Sequence, residues 1–257
     1  MYSHVERNTY FNSTIKKLLS STLVEGIIQL GSGVVGYTDE FSDIDLMVAT
    51  SNMEDVKATK EFVRTCLNEY DPIYIKEKQL GENIYLFIVF LENKLEFNVS
   101  IVPRSLLSVR SPLWKIVVDK TGLIAEKMNQ ENGSFLKKSE KYNLHVDIPF
   151  EFTYCLKSLE KELNRNNVIY ALQMLDLMRE YTVLVQAMNE GKKIHQFKAY
   201  QSLNPEFIES YLETFPIGVL PNDILESALK LKELFRKTVS ESKDLSIDHD
   251  LESLLYN

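Results

Sequence analysis

Residues 31–48 read GSGVVGYTDEFSDIDLMV, and the fold turns on how this stretch is read. An apolar stretch, Ile44 to Val48, alternates with Asp43, Asp45 and Met47. On a strand, residues i and i+2 face one side, about 7 Å apart, so the two carboxylates point together while Ile44 and Leu46 face a core. Like charges so placed raise each other's pKa unless a cation lies between them. Magnesium suits such a pair better than zinc, because it takes oxygen ligands and keeps positions for water and substrate phosphate. Upstream, the apolar run Ile27 to Leu30 ends in Gly31-Ser32, where the backbone must turn. Glycine lets main-chain N–H groups approach a phosphate closely, and the serine hydroxyl adds a donor. Strand, Gly-rich turn and strand, with a triphosphate beside a metal, is the resulting reading.

Outward from this stretch, Phe11, Ile15, Leu18 and Leu19 give Tyr10 to Ser20 the stripe of an amphipathic helix. A second helix is predicted from about Glu54 to Asn68, burying Val56, Val63, Cys66 and Leu67. Strands are predicted near Ile73, over Ile84 to Leu91 and over Leu95 to Val102, the last two forming a hairpin that turns at Asn93-Lys94. In the final strand Leu95, Phe97, Val99 and Ile101 share one face, and Glu96, Asn98 and Ser100 the other. Glu96 can therefore supply a third carboxylate, bridging two metal ions. Glu92, its rival, abuts the turn.

After Pro149 the period changes to 3.6. Cys155, Leu159 and Leu163 mark one helix, and Leu172, Leu175 and Met188 a longer one closed by Gly191. Asn204-Pro205 opens a further helix, and Ile224, Ala228, Leu231 and Phe235 stripe another. The tail after Val239 reads as polar. The fold class is thus α+β: a mixed β-sheet flanked by helices over residues 1–144, then an all-α bundle over 145–257.

The chain has 257 residues and a formal charge of −8, from 37 acidic and 29 basic residues. That balance makes a nucleic-acid polymer a poor partner, since backbone binding rests on Lys and Arg. From His145 onward there are 18 acidic and 12 basic residues, a balance of −6, against −2 before it. An acidic second half favours a cationic ligand by raising its local concentration. Cys66 and Cys155 fall in helical patterns and read as small buried hydrophobes. No apolar run approaches a membrane span and no secretory leader opens the chain, so a cytoplasmic protein is expected. His4, His145, His195 and His249 lack metal spacing and take no role. Tyr170 and Tyr181 read as core, and Asp176 and Glu180 as a solvated helix face.

These motifs resemble the polymerase-β-like nucleotidyltransferase superfamily, whose signature is Gly-Ser followed after a fixed gap by Asp-x-Asp. Gly31-Ser32, Gly36 and Ser42-Asp43-Ile44-Asp45-Leu46 sit where the small-molecule members, the aminoglycoside and lincosamide nucleotidyltransferases, have them. Lys94-Leu95-Glu96-Phe97-Asn98 is similar to their third-carboxylate strand. The resemblance covers the first hundred residues or so. It implies an N-terminal catalytic domain and a helical acceptor-binding domain. It also implies two Mg2+ ions on Asp43, Asp45 and Glu96, a nucleoside triphosphate, ATP, bound through Gly31, Ser32, Asp43 and Asp45, and transfer of AMP to a hydroxyl of a small molecule such as an antibiotic. Relatives carry arginines just after Gly-Ser, where this chain has Gly33 and Val35. Either a cation from elsewhere, such as Arg104, replaces them, or catalysis has been lost; the surviving carboxylates favour an active enzyme. An AMPylating, antitoxin-like protein modifier and a non-catalytic nucleotide-binding module are the rival readings.

Overall fold

A computed structural model of the chain describes residues 2–36, 42–137, 146–192 and 200–256. The chain forms two compact units, Met1–Lys141 and Tyr142–Asn257. The expected boundary at His145, and His195, lie outside the described residues.

The first unit runs α1 (His4–Leu19), β1 (Gly26–Leu30), a 3-10 helix (Gly31–Val35), β2 (Ile44–Thr50), α2 (Asp55–Asn68), β3 (Tyr74–Gly81), β4 (Ile84–Phe90), β5 (Glu96–Pro103), β6 (Trp114–Asp119) and α3 (Leu123–Lys137). Its mixed sheet has the order β3-β4-β5-β2-β1-β6. The β2–β5 pair is parallel, with Ile44 opposite Phe97 and Asp45 opposite Asn98, and the other pairs are antiparallel. One face buries Ile27, Leu46, Val48, Phe87, Phe97 and Val99 with Leu18 of α1 and Val56, Val63 and Leu67 of α2. The other buries Ile28, Ala49 and Val102 with Ile124 and Met128 of α3. Period-two alternation thus puts the even-numbered apolar residues of β2 on one side and Asp45 on the other.

The first helix starts six residues before its apolar stripe. Ser3 caps it: its hydroxyl accepts from the Glu6 amide at 3.2 Å while the Glu6 carboxylate accepts from the Ser3 amide at 2.8 Å, a capping box that satisfies two otherwise orphaned donors. The hairpin does turn at Asn93-Lys94, with Lys94 at φ 70°. Strand β6 and helix α3 went unpredicted. The Asp119 carboxylate, at the end of β6, accepts from the Gly122 amide at 2.8 Å and the Ala125 amide at 2.9 Å, launching α3 directly from the sheet edge.

The second unit comprises α4 (Ile148–Asn164), α5 (Val168–Asn189), α6 (Pro205–Leu212), α7 (Pro221–Ser240) and α8 (His249–Tyr256). Asp147 and Asn204 cap α4 and α6, each followed by a proline in the first turn. Cys155, Leu159, Leu175, Ile224, Leu231 and Phe235 form its core as their spacing predicts. The tail is less polar than it reads, because α8 buries Leu255 in that core. Tyr181 packs against the core, but Tyr170 is 40% exposed. Both cysteines are buried, and burial pushes the Cys155 thiol up to about 11.

At the centre of this bundle the fully buried rings of Phe152 and Phe235 stack with centroids 3.8 Å apart. Replacing Phe235 by Ala deletes one ring and leaves a cavity, so Phe235→Ala should cost about 3–5 kcal/mol. Urea denaturation followed by helical circular dichroism measures it; a loss below about 1 kcal/mol would show that the stack does not organise the bundle.

Candidate active site

The three sequence-predicted carboxylates lie at one end of the first unit's sheet. Asp43 immediately precedes β2, Asp45 is its second residue and Glu96 opens β5. The parallel register sets Asp45 opposite Asn98 and puts Glu96 level with Asp43. All share one face, since directly paired residues on neighbouring strands point the same way. Asn98, on the polar face of β5, is drawn into the site: its side-chain amide donates to Asp43 Oδ2 at 3.4 Å. Two residues on, Ser100 Oγ donates to the Leu46 carbonyl at 3.3 Å, tying the same two strands. Glu96 is half-buried at the strand start, whereas Glu92 is exposed in the turn.

Gly31 has a structural task of its own. Its amide donates to the Leu113 carbonyl at 3.2 Å, so that N–H is engaged within the protein. Its φ is +67°, and a Cβ built there would lie 2.5 Å from Asp45 Oδ2. The missing side chain makes room for the carboxylate, and the left-handed backbone suits glycine. Ser32 follows within the 3-10 helix, half-buried. Gly36 closes that helix at φ 90°, and residues 37–41 lie outside the described set.

The residue before Asp43 is anchored by α1 and the residues just before it, which sequence reasoning missed. The Ser42 carbonyl accepts from Tyr2 Oη at 3.0 Å and from Arg7 Nη1 at 3.2 Å. Arg7 is fully buried, and its Nη2 donates to His4 Nδ1 at 2.6 Å. His4, expected to have no role, thus helps orient the arginine. The available signal was the capping spacing Ser3 to Glu6, which starts the helix early enough to carry Arg7 under this loop.

Arg104 does not replace the arginines absent after Gly-Ser. It follows β5, eight residues beyond Glu96, which is about 26 Å along a strand. There it pairs with the buried Glu25 carboxylate, which also accepts from Thr121 Oγ1 at 2.7 Å. The ion pair braces the far end of the sheet.

Among the described residues no three His, Cys, Asp or Glu side chains converge closely enough to hold a metal. Asp43, Asp45 and Glu96 share a face and a sheet end without forming a closed ligand set. Their chemistry nonetheless fits a hard divalent ion: the donors are all oxygen, and the space beside Asp45 is kept by the Cβ that Gly31 lacks.

A family model described as streptomycin adenylyltransferase matches residues 19–253, a span that includes most of both units. No curated protein matches the chain. Among solved structures, an aminoglycoside 6-adenyltransferase from Bacillus subtilis is similar at 16% identity and a TM-score of 0.39, covering 100% of this chain and 97% of that one. A nucleotidyltransferase-like protein from Exiguobacterium sibiricum is similar at 14% identity and a TM-score of 0.37, over 91% of this chain and 74% of that one.

The close approach of Gly31 to Asp45 can be tested by a double-mutant cycle. Gly31→Ala should destabilise the first unit by about 1–2 kcal/mol through its positive φ, with a further cost from the carboxylate. Asp45→Ala in that background should recover at least about 0.5 kcal/mol of coupling. Strict additivity in urea unfolding would show that the two residues do not meet.

Proposed function

The chain belongs to the streptomycin adenylyltransferase family and is an adenylyltransferase; from that premise we propose that it moves AMP from ATP to a hydroxyl of a small aminoglycoside-like acceptor and releases pyrophosphate. The observation that carries this reading is the shared face of Asp43, Asp45 and Glu96 at the end of the parallel β2–β5 pair, with Gly31 giving way beneath Asp45.

In this proposal Asp43, Asp45 and Glu96 are the metal-holding residues. A divalent ion, Mg2+ and in the full form two, would supply charge stabilisation for the attacking and leaving oxygens of the α-phosphate. The chain's own contribution is position. The pairing of β2 with β5 holds the three carboxylates on one side. Asn98 restrains Asp43 from rotating away, and Arg7 and Tyr2 fix the backbone just before it. Ser32 is the hydroxyl donor proposed for the triphosphate, and Gly31 lets the phosphates come close to the turn. An acceptor hydroxyl held in line with the departing pyrophosphate then needs little further chemistry, because positioning can contribute several kcal/mol. The region 1–144 is proposed as the nucleotidyltransferase domain and 145–257 as the acceptor-binding domain.

Pyrophosphate release from ATP with magnesium and an aminoglycoside panel tests the reaction. Asp43→Asn or Asp45→Asn should lower turnover at least about a hundredfold, since each removes metal-held transition-state stabilisation, while the melting temperature stays level or rises as like-charge repulsion is relieved. Near-normal turnover in either variant at saturating magnesium would overturn the assignment.

The third position has its own test. Glu96→Gln keeps size but loses charge, so turnover or magnesium affinity should fall with little change in stability; Glu92→Gln, altering an exposed turn residue, should be almost silent. The reverse order of effects would move the third carboxylate to Glu92.

A further inference from the structure

The connection between β5 and β6, residues 104–113, crosses the face of the sheet that carries the three carboxylates. Its Leu107 and Val109 are buried on that face with Ile28 and Ala49, and Leu30 and Trp114 pack against the same cluster. The connection then folds against the end of β1. The Leu113 carbonyl accepts from the Gly31 amide at 3.2 Å, the Pro112 carbonyl from the Trp114 amide at 3.1 Å, and Ser111 Oγ from the Leu113 amide at 3.3 Å, while Trp114 pairs with Leu30. Arg110 stands between the buried Val109 and this turn. Three residues span at most about 11 Å, so its backbone stays that close to Leu113, which touches Gly31. Its side chain is exposed and takes no hydrogen bond or ion pair among the described residues.

An uncommitted cation at this place meets a need that the turn leaves open. Three carboxylates and a triphosphate carry more negative charge than two divalent ions supply. The Gly31 amide is spent on Leu113, the 3-10 helix Gly31–Val35 contains no basic residue, and Arg104 is committed to Glu25. Ser32 alone is a weak holder for a phosphate chain, because phosphate oxygens are held most strongly by ionised donors and the arginine fork offers two at once. The strand order also decides which phosphates are concerned. On one side of β2 lies β5 with Glu96, and on the other lies β1 with its turn and residues 111–114. In-line displacement puts the attacking hydroxyl and the departing oxygen on opposite sides of the phosphorus. With the phosphates at the Gly31-Ser32 turn, the departing pair lies on the β1 side, where Arg110 is.

We propose that Arg110 is a further substrate-binding residue, whose guanidinium holds the two phosphates that leave as pyrophosphate. The proposal rests on the adenylyl-transfer reading above and adds a group outside both the carboxylates and the Gly-Ser turn. Val109 anchors the backbone on one side of Arg110 and Leu113 on the other, so the side chain can swing onto the phosphates without disturbing the sheet.

Calorimetry on the full chain with magnesium, using ATP, pyrophosphate and AMP as separate probes, tests it. Arg110→Gln should weaken ATP and pyrophosphate about tenfold, leave AMP unchanged because it lacks the departing phosphates, and keep the wild-type melting temperature. Arg110→Lys retains the charge without the fork and should recover part of the loss. Lys78→Gln removes the same charge from an exposed position on β3, three strands from β2, and should bind all three probes as wild type does. Wild-type pyrophosphate affinity in Arg110→Gln would overturn the proposal, as would an equal weakening of AMP or an equal loss in Lys78→Gln. The two readings fail separately. If wild type binds ATP and releases pyrophosphate while Arg110→Gln binds as tightly, only the role of Arg110 is lost; if wild type binds neither ATP nor pyrophosphate, the transfer reading falls and takes this proposal with it.

Discussion

Two carboxylates on one face of one strand repel each other, and the rest of the first unit is arranged so that they stay together. Repulsion between Asp43 and Asp45 would be relieved by rotating the strand start or by fraying it. Rotation is opposed by the buried alternation of Ile44, Leu46 and Val48, which a one-residue slip would turn to the opposite face. Fraying is opposed from both sides: β5 pairs residue for residue from Ile44 to Thr50, and the Ser42 carbonyl is held by Arg7 of α1 and by Tyr2 just before that helix. A fully buried arginine is an expensive anchor unless its donors are used. Arg7 uses two of them on Ser42 and His4, close to the strand start that needs holding.

The second unit solves a similar problem in a helical frame. Arg179 is buried among Asp176, Thr214, Ser227 and Phe215, so one cation stabilises both a carboxylate and an aromatic ring while linking two stretches of chain. In the second unit a buried arginine orients the exposed Asp176 directly, and in the first a buried arginine holds the backbone carbonyl one residue before Asp43; hydrophobic packing alone would not provide that direction.

How much of this was legible follows from what a single strand or helix can say about itself. Alternation settles which side of β2 carries Asp43 and Asp45 and which side of β5 carries Glu96, because facing is a local property. Pairing is not: nothing within 95–102 announces that this strand lies parallel to 44–50, and so Asn98 as a partner of Asp43 was invisible. Arg104 misled because the sequence does not say where a cation beyond a strand ends up, and β5 carries it to the far end of the sheet, where it pairs with Glu25. Strand β6 escaped because Lys115 and Asp119 break its apolar run, and α8 because a short helix with one fully buried anchor, Leu255, reads as polar. Arg7 escaped for the converse reason, since a charged residue in an amphipathic helix reads as solvent-facing. Its helix start was legible in Ser3 and Glu6.

The parallel pairing also imposes an order in time. Antiparallel neighbours can be joined by a tight turn, but parallel ones cannot, and here α2, β3 and β4 must all be laid down between β2 and β5. At about 5–20 residues per second of synthesis, β2 waits roughly 3–10 seconds for its central partner to be made. Through that interval its open edge is available to any passing strand. The chain therefore carries a pairing between residues 53 apart in sequence, Ile44 with Phe97, at the place where its chemistry is proposed, and a nascent chain stalled before Pro103 would hold both aspartates without the strand that keeps them in place.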